Sequence, residues 1–189
     1  MFKTIRKLCS VGIVVLLIAI VLAADPSFSA TSYASPHRPS VGNISSVSNG
    51  QGKIIVVSLS QQELDAYDNG QLLGSTPVAT GRPDLPTPTG TYHIFAKYSP
   101  YTFVSPWPVG SPDYYQPSTV HYAMEWAQGG YFIHDAPWRK YFGKGANNWH
   151  WDPLMGEDPG THGCINVPTS VMSDLFSWAT IGTTVQINP

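Results

Sequence analysis

Proline and glycine interrupt this chain so often that its regular elements have to be short. There are 17 of each in 189 residues. Proline cannot sit in the middle of a sheet and glycine weakens a strand or helix interior, so the pattern points to a loop-rich, mostly β protein. Lys53 to Leu59 runs β-branched residues together, as in a strand buried on both faces. Glu63 to Tyr67 follows as a second strand. Asp68-Asn69-Gly70-Gln71 is a tight turn, because Asn-Gly readily takes positive φ, and Leu72 to Thr80 returns as the third strand. Gly81 to Gly90 holds three prolines and reads as a rigid loop, and Thr91 to Tyr98 alternates as one strand.

Ser99 to Thr119 has no period and is rich in Pro, Tyr and Gly. A loop of that length in a compact domain is functional or disordered, and its aromatic content argues against disorder. Val120 to Trp126 and Tyr131 to His134 read as paired central strands joined at Gln128-Gly129-Gly130, with His121 structural in the first. One helix is expected, opening at Pro168-Thr169-Ser170 with Thr169 or Ser170 as its cap. Its apolar face is Val171, Met172, Leu175, Phe176 and Trp178. Gly182 follows it, and Thr183 to Ile187 is a closing strand. The expected architecture is a mainly β sandwich or barrel-like domain with one late helix and long loops.

The N-terminus carries Lys3, Arg6 and Lys7 and then an apolar run from Leu8 to Ala24. That is the layout of an export signal, with small residues around Ala34 where a signal peptidase would cut; an uncleaved membrane anchor is the other reading. Either one places the rest of the chain outside the cytoplasm. Residues 35–52 are polar and read as a flexible linker, leaving 53–189 as the folded domain. Beyond Ala34 there are seven Lys and Arg against eleven Asp and Glu, with no basic cluster, so nucleic acid is not an expected partner.

The chemistry centres on Thr161-His162-Gly163-Cys164-Ile165-Asn166. Cys9 lies in the N-terminal run, so Cys164 has no internal disulfide partner. It is a buried small hydrophobe, a metal ligand or a nucleophile. If the stretch is extended, His162 and Cys164 share a face, and the N–H groups of Gly163 and Cys164 could meet a developing oxyanion. A second histidine, His134, ends the run Gly130-Tyr131-Phe132-Ile133 and precedes Asp135-Ala136-Pro137-Trp138. His150 is a rival partner within the 135–160 segment. A hydrolase binding metal through His134, His162, Cys164 and His150 is a further alternative, although the paired spacing of zinc sites is missing. So is a non-catalytic wall-binding module with an inert cysteine.

A strand-end His followed by a variable segment and then [Ser/Thr]-His-Gly-Cys-x-Asn resembles the L,D-transpeptidase (YkuD-type) catalytic domain. Val57 to Leu64, Tyr67 to Gly70 and Pro86-Thr87-Pro88-Thr89-Gly90-Thr91-Tyr92 resemble its opening strands, and the likeness covers about residues 53–188. The 26 residues from Asp135 to Gly160 are longer than the usual gap. The resemblance implies a Cys164 nucleophile and a His134 general base, with the carbonyl or the carboxylate of Asp135 orienting the imidazole. Gly163 would support the oxyanion region, His162 would do so or position the donor, and Thr161 and Asn166 would brace the loop and contact substrate. Tyr114 or Tyr115 would face the cleft from a lid, and Trp138 would line it. The implied substrates are peptidoglycan stem peptides, joined through a thioester into 3→3 cross-links, with β-lactams of the carbapenem type as inhibitors and no cofactor or metal. Hydrolysis of the same acyl-enzyme, an L,D-carboxypeptidase activity, shares every one of these residues.

Overall fold

The computed structural model describes residues 52–152, 156–158 and 160–189. The expected signal or anchor and the linker up to residue 51 lie outside them. The first hairpin forms as its sequence dictates. β1 (Lys53–Ser58) pairs antiparallel with β2 (Glu63–Asp68), which turns at Asn69 (φ 48°) and Gly70 (φ 81°) into β3 (Gln71–Pro77). β1 is buried on both faces: Ile55 and Val57 join the main core, while Ile54 and Val56 pack with Tyr67 and Leu72.

The expected single strand over Thr91 to Tyr98 is two strands in two sheets. β4 (Gly90–His93) closes one edge of a five-stranded sheet ordered β3-β2-β1-β13-β4, where β13 is Thr184–Asn188. β5 (Ala96–Tyr98) edges a four-stranded sheet ordered β12-β9-β8-β5. The hand-over is hydrogen-bonded on both sides: Ile94 N–H donates to Thr183 O (3.0 Å) and Phe95 N–H to Glu125 O (3.0 Å). An uninterrupted alternation hides such a crossing, because each half keeps the strand period.

The stretch from Ser99 to Thr119 is not a plain loop. β6 (Tyr101–Phe103) and β7 (Ser118–Val120) pair antiparallel and carry residues 104–117 as the tip of a flap. Three-residue strands are too short to show a period. His121 then falls on a bend rather than in a strand, and β8 (Ala123–Ala127) and β9 (Tyr131–Asp135) follow around the Gly129-Gly130 turn. Within the long segment, β10 (His150–Asp152) and β11 (Gly156–Asp158) make a small hairpin. Its earlier part packs behind β3, with Gly143 N–H on Val78 O (2.9 Å) and Ala146 buried. β12 (Ile165–Val167), absent from the sequence reading, runs parallel to β9.

α1 (Thr169–Trp178) begins after Pro168 with no side-chain cap, so Thr169 and Ser170 are its first helical residues rather than caps. Proline is suited to this place because its φ is already set and its missing N–H would be unpaired there. Met172 and Leu175 bury the helix on the core. Its C-terminus has no basic residue of its own, and lysines from both sheets supply the charge. Lys53 Nζ donates to Trp178 O (2.8 Å), and Lys97 Nζ to Phe176 O (2.6 Å) and Ala179 O (2.5 Å). One apolar cluster joins the two sheets and the helix, with Ile55, Val57, Ile94, Met124, Ile133, Ile165, Met172 and Val185 among its members. The β-sandwich expectation with one late helix therefore holds.

Candidate active site

The reactive stretch is built where β12 leaves its preceding loop. Ile165 and Val167 face the core, so Cys164 and Asn166 face the opposite side of the sheet. Register pairs Ile165 with Ile133, Asn166 with His134 and Val167 with Asp135. Cys164 and His134 thus project from one face of adjacent parallel strands, as diagonal neighbours. The 26-residue segment between them does not separate them, because the parallel pairing of β9 and β12 brings its two ends together.

The loop before Cys164 is bent, not extended. Gly163 has φ 108°, a conformation that side chains resist, and a Cβ there would lie 2.6 Å from Tyr131 Cε1. The Thr161 hydroxyl locks the bend, accepting from Gly163 N–H (3.0 Å) and donating to Cys164 O (2.5 Å). Thr161 is buried and pairs through its backbone with Thr80 and Arg82. Its hydroxyl thus braces the loop, as expected of it. The Gly163 N–H is likewise spent on Thr161, so the expected pair of oxyanion donors reduces to one: the Cys164 N–H has no acceptor among the described residues. Beneath the loop, Thr87 accepts from Gly81 N–H and donates to Gly163 O, each at 2.9 Å.

The Cys164 sulfur keeps part of its surface and donates to Gly130 O (3.6 Å) in the β8–β9 turn. Tyr101, Phe103 and Trp138 pack with it around Val120, Ala123 and Phe132. This enclosure pushes the thiol up to about 11, and a backbone hydrogen bond from Phe132 offsets only part of that. His134 is buried between Phe103 and Trp138, at ring separations of 4.7 and 6.1 Å. Burial lowers it to about 4, against the opposing pull of the Asp135 carbonyl and carboxylate. At neutral pH both groups are therefore uncharged.

Asp135 divides its labour. Its backbone carbonyl accepts from His134 Nδ1 at 2.8 Å, which leaves Nε2 as the basic nitrogen. Its carboxylate, fully buried rather than solvated, turns to the β7–β8 bend. There it accepts from Tyr122 N–H (2.8 Å), His121 N–H (3.3 Å) and His121 Nδ1 (2.9 Å). Of the two orienters considered for the imidazole, the carbonyl is the one in contact.

His162 does not stand beside the thiol. Its ring lies under the flap, 5.3 Å from Trp107 and 5.1 Å from Tyr115. Its Nε2 is 3.1 Å from both Arg82 Nη1 and Asp113 O, so it can accept from the first or donate to the second, not both at once. Burial first, then the Arg82 charge, lowers its pKa. Arg82 also forms an ion pair with the Asp113 carboxylate. Tyr115 sits on His162, and its own pKa is raised by burial first and then by the nearby Cys164. Tyr114 instead hydrogen-bonds Gln116 within the flap tip (3.4 Å). Asn166 braces through its backbone, exchanging hydrogen bonds with Ala79 (2.8 and 3.0 Å). Its Oδ1 is buried with no partner among the described residues.

Several contributors were missed in the sequence. Arg82, Asp113, Trp107 and the aromatic wall of Tyr101, Phe103 and Phe132 all depend on the flap folding back. The only local hint was alternation in Tyr101-Thr102-Phe103. The side chain of His150 lies outside the described residues. Among the described residues no group of three or more His, Cys, Asp and Glu is placed to hold a metal.

Residues 52–187 match the L,D-transpeptidase catalytic domain known as YkuD. The chain is 30% identical over 141 residues to L,D-transpeptidase 1 of Mycobacterium tuberculosis, covering 73% of this chain and 51% of that one. Among solved structures, LD transpeptidase LdtMt1 in complex with imipenem superposes with TM-score 0.60 at 29% identity, over 73% of this chain and 59% of that one. The catalytic domain of the Enterococcus faecium L,D-transpeptidase superposes with TM-score 0.56 at 29% identity, over 74% of this chain and 98% of the other. The chain spans about half the length of the first of these relatives.

Proposed function

The chain belongs to the L,D-transpeptidase catalytic domain family, and we propose that it transfers acyl groups between peptidoglycan stem peptides through a thioester on Cys164. The observation that carries this reading is the parallel pairing of β12 with β9. It sets a partly exposed thiol and an imidazole with one nitrogen already committed on the same face of one sheet. A neutral His134 with Nδ1 held by a carbonyl presents Nε2 as a base. As Sγ attacks the carbonyl of the donor's third residue, Nε2 takes the thiol proton. The Cys164 N–H faces the developing oxyanion, and the proton passes to the departing amine of D-alanine. An amine from a second stem then attacks the thioester, forming a 3→3 link and regenerating the thiol.

With the thiol near 11 and the imidazole near 4, a resting ion pair is disfavoured, so proton transfer accompanies attack rather than preceding it. The flap aromatics shield the thioester from water, which favours transfer over hydrolysis. The imipenem complex of a relative supports acylation by carbapenems. The basic and apolar N-terminal run supports action outside the cytoplasm.

The test is product analysis on a purified disaccharide-tetrapeptide with native protein and with Cys164→Ala. Cross-linked dimer from the native protein alone supports the transferase. Tripeptide without dimer assigns a carboxypeptidase, and unchanged substrate removes the enzymatic reading.

A further inference from the structure

The Arg82 guanidinium is the charged group that the site's chemistry leaves unused. Its backbone is fixed next to the nucleophile loop: Arg82 N–H donates to Thr161 O (2.9 Å), and the neighbouring Gly81 forms a parallel bridge with Thr161. A Cβ at Gly81 would lie 2.3 Å from Leu85 O, so the chain cannot swing the arginine away there without opening the loop over residues 81–87. The side chain is 6% exposed, a costly place for a permanent charge unless an anion meets it. The anion in this structure is Asp113, which comes from the tip of the flap and is itself 31% exposed. Asp113 is held by short-range contacts within the tip, with its N–H on the Ser111 hydroxyl (3.2 Å), and reaches Arg82 only because the flap is down. Trp107, Tyr115 and Asp113 O all rest on His162, two residues from Cys164. Any peptide entering between flap and thiol must part these contacts, and it then uncovers a nearly buried guanidinium whose backbone is bonded to the loop that carries Cys164.

We propose that Arg82 anchors a carboxylate of the donor peptide, and that Asp113 occupies this anchor when no donor is bound. The proposal rests on the reading of Cys164 as the acylated thiol. A donor cleaved with loss of D-alanine carries a free carboxylate on the leaving residue, one residue beyond the attacked carbonyl. A planar guanidinium with two outward nitrogens matches that group. The arrangement orients the leaving end of the donor, and it makes flap opening and donor binding a single exchange of one carboxylate for another.

The experiment compares two donors on the native protein: a stem tetrapeptide with a free C-terminal carboxylate, and the same peptide as its C-terminal carboxamide. The anchor predicts a KM roughly tenfold or more higher for the carboxamide, with kcat changed far less. Arg82→Gln should raise KM for the carboxylate donor to the carboxamide's level and leave the carboxamide's KM unmoved, and Arg82→Lys should restore part of the difference. Asp113→Asn should lower KM for the carboxylate donor alone, because the competing carboxylate is gone. Equal KM values for the two donors on native protein, or a rise in KM with Asp113→Asn, would overturn the anchor while leaving acyl transfer at Cys164 standing. If native protein consumes neither donor and takes up no imipenem, the reading of the site fails and the anchor fails with it.

Discussion

His134 Nδ1 donates to the carbonyl of Asp135 at 2.8 Å, while the carboxylate of the same aspartate faces the opposite way, onto His121 and Tyr122. The His134 imidazole is thus oriented by main chain. The acid that looks like the third member of a triad in the sequence serves the fold.

That division predicts the behaviour of Asp135→Asn. An amide keeps an acceptor for Tyr122 N–H but presents hydrogens toward the His121 donors, from a fully buried side chain. The expected loss is roughly 1–3 kcal/mol of stability, read by chemical denaturation. Because the carbonyl remains, kcat on the surviving folded fraction should stay within about tenfold of native. A loss of several orders of magnitude in kcat with stability intact would assign the carboxylate a direct part in catalysis.

Gly163→Ala is predicted to harm both stability and activity. The methyl group enters at φ 108° against a Tyr131 ring carbon 2.6 Å away, and the bend that aims the Cys164 N–H must open. The cost is on the order of 1–3 kcal/mol. Acylation by a carbapenem, followed by stopped-flow absorbance, should slow by more than that stability loss explains.

The pH dependence of stability follows from His134. Its folded pKa, about 4, lies below the ordinary 6.5. Below pH 6.5 the unfolded chain takes up a proton that the folded protein refuses, so this contribution is complete above 6.5 and lost progressively as pH falls toward 4. The fall amounts to roughly 3 kcal/mol at most. Urea midpoints between pH 4 and 7 measure it, and His134→Gln should flatten that part of the curve. A flat native curve would mean that the ring is solvated.

The thiol makes a separate prediction. With its pKa raised to about 11 and no charged partner, Cys164 should alkylate slowly at pH 6 and faster with each step toward pH 10. This differs from the enhanced acidic reactivity that a preformed thiolate–imidazolium pair would give. Iodoacetamide rates that are already at plateau near pH 6 would show such a pair.

How much was legible depends on the range of the interaction. The β1–β2–β3 hairpins and the late helix are written in neighbouring residues and form where they were read, apart from the helix cap; the Thr161–Asn166 motif was legible as residues, but its bend was not. The division of Thr91 to Tyr98 between two sheets is not local: the alternation continues through Ile94 and Phe95, and only their partners Thr183 and Glu125 decide which sheet each half joins. β12 was hidden because three residues after a cysteine carry no period, though its pairing with β9 is what sets His134 on the thiol's face of the sheet. Where the His162 ring and the Asp135 carboxylate point was not legible, for one reason. Proximity in sequence suggested contact with the reacting groups, whereas a positive-φ glycine turns the first toward the flap and strand alternation turns the carboxylate of the second away.

The most direct measurement of the central claim is intact mass after incubation with imipenem, followed by peptide mapping. The account predicts one covalent adduct per chain, carried by the peptide containing Cys164, absent from Cys164→Ala and formed at least about a hundredfold more slowly by His134→Gln. An unmodified native protein, or an adduct that persists in Cys164→Ala, would contradict it.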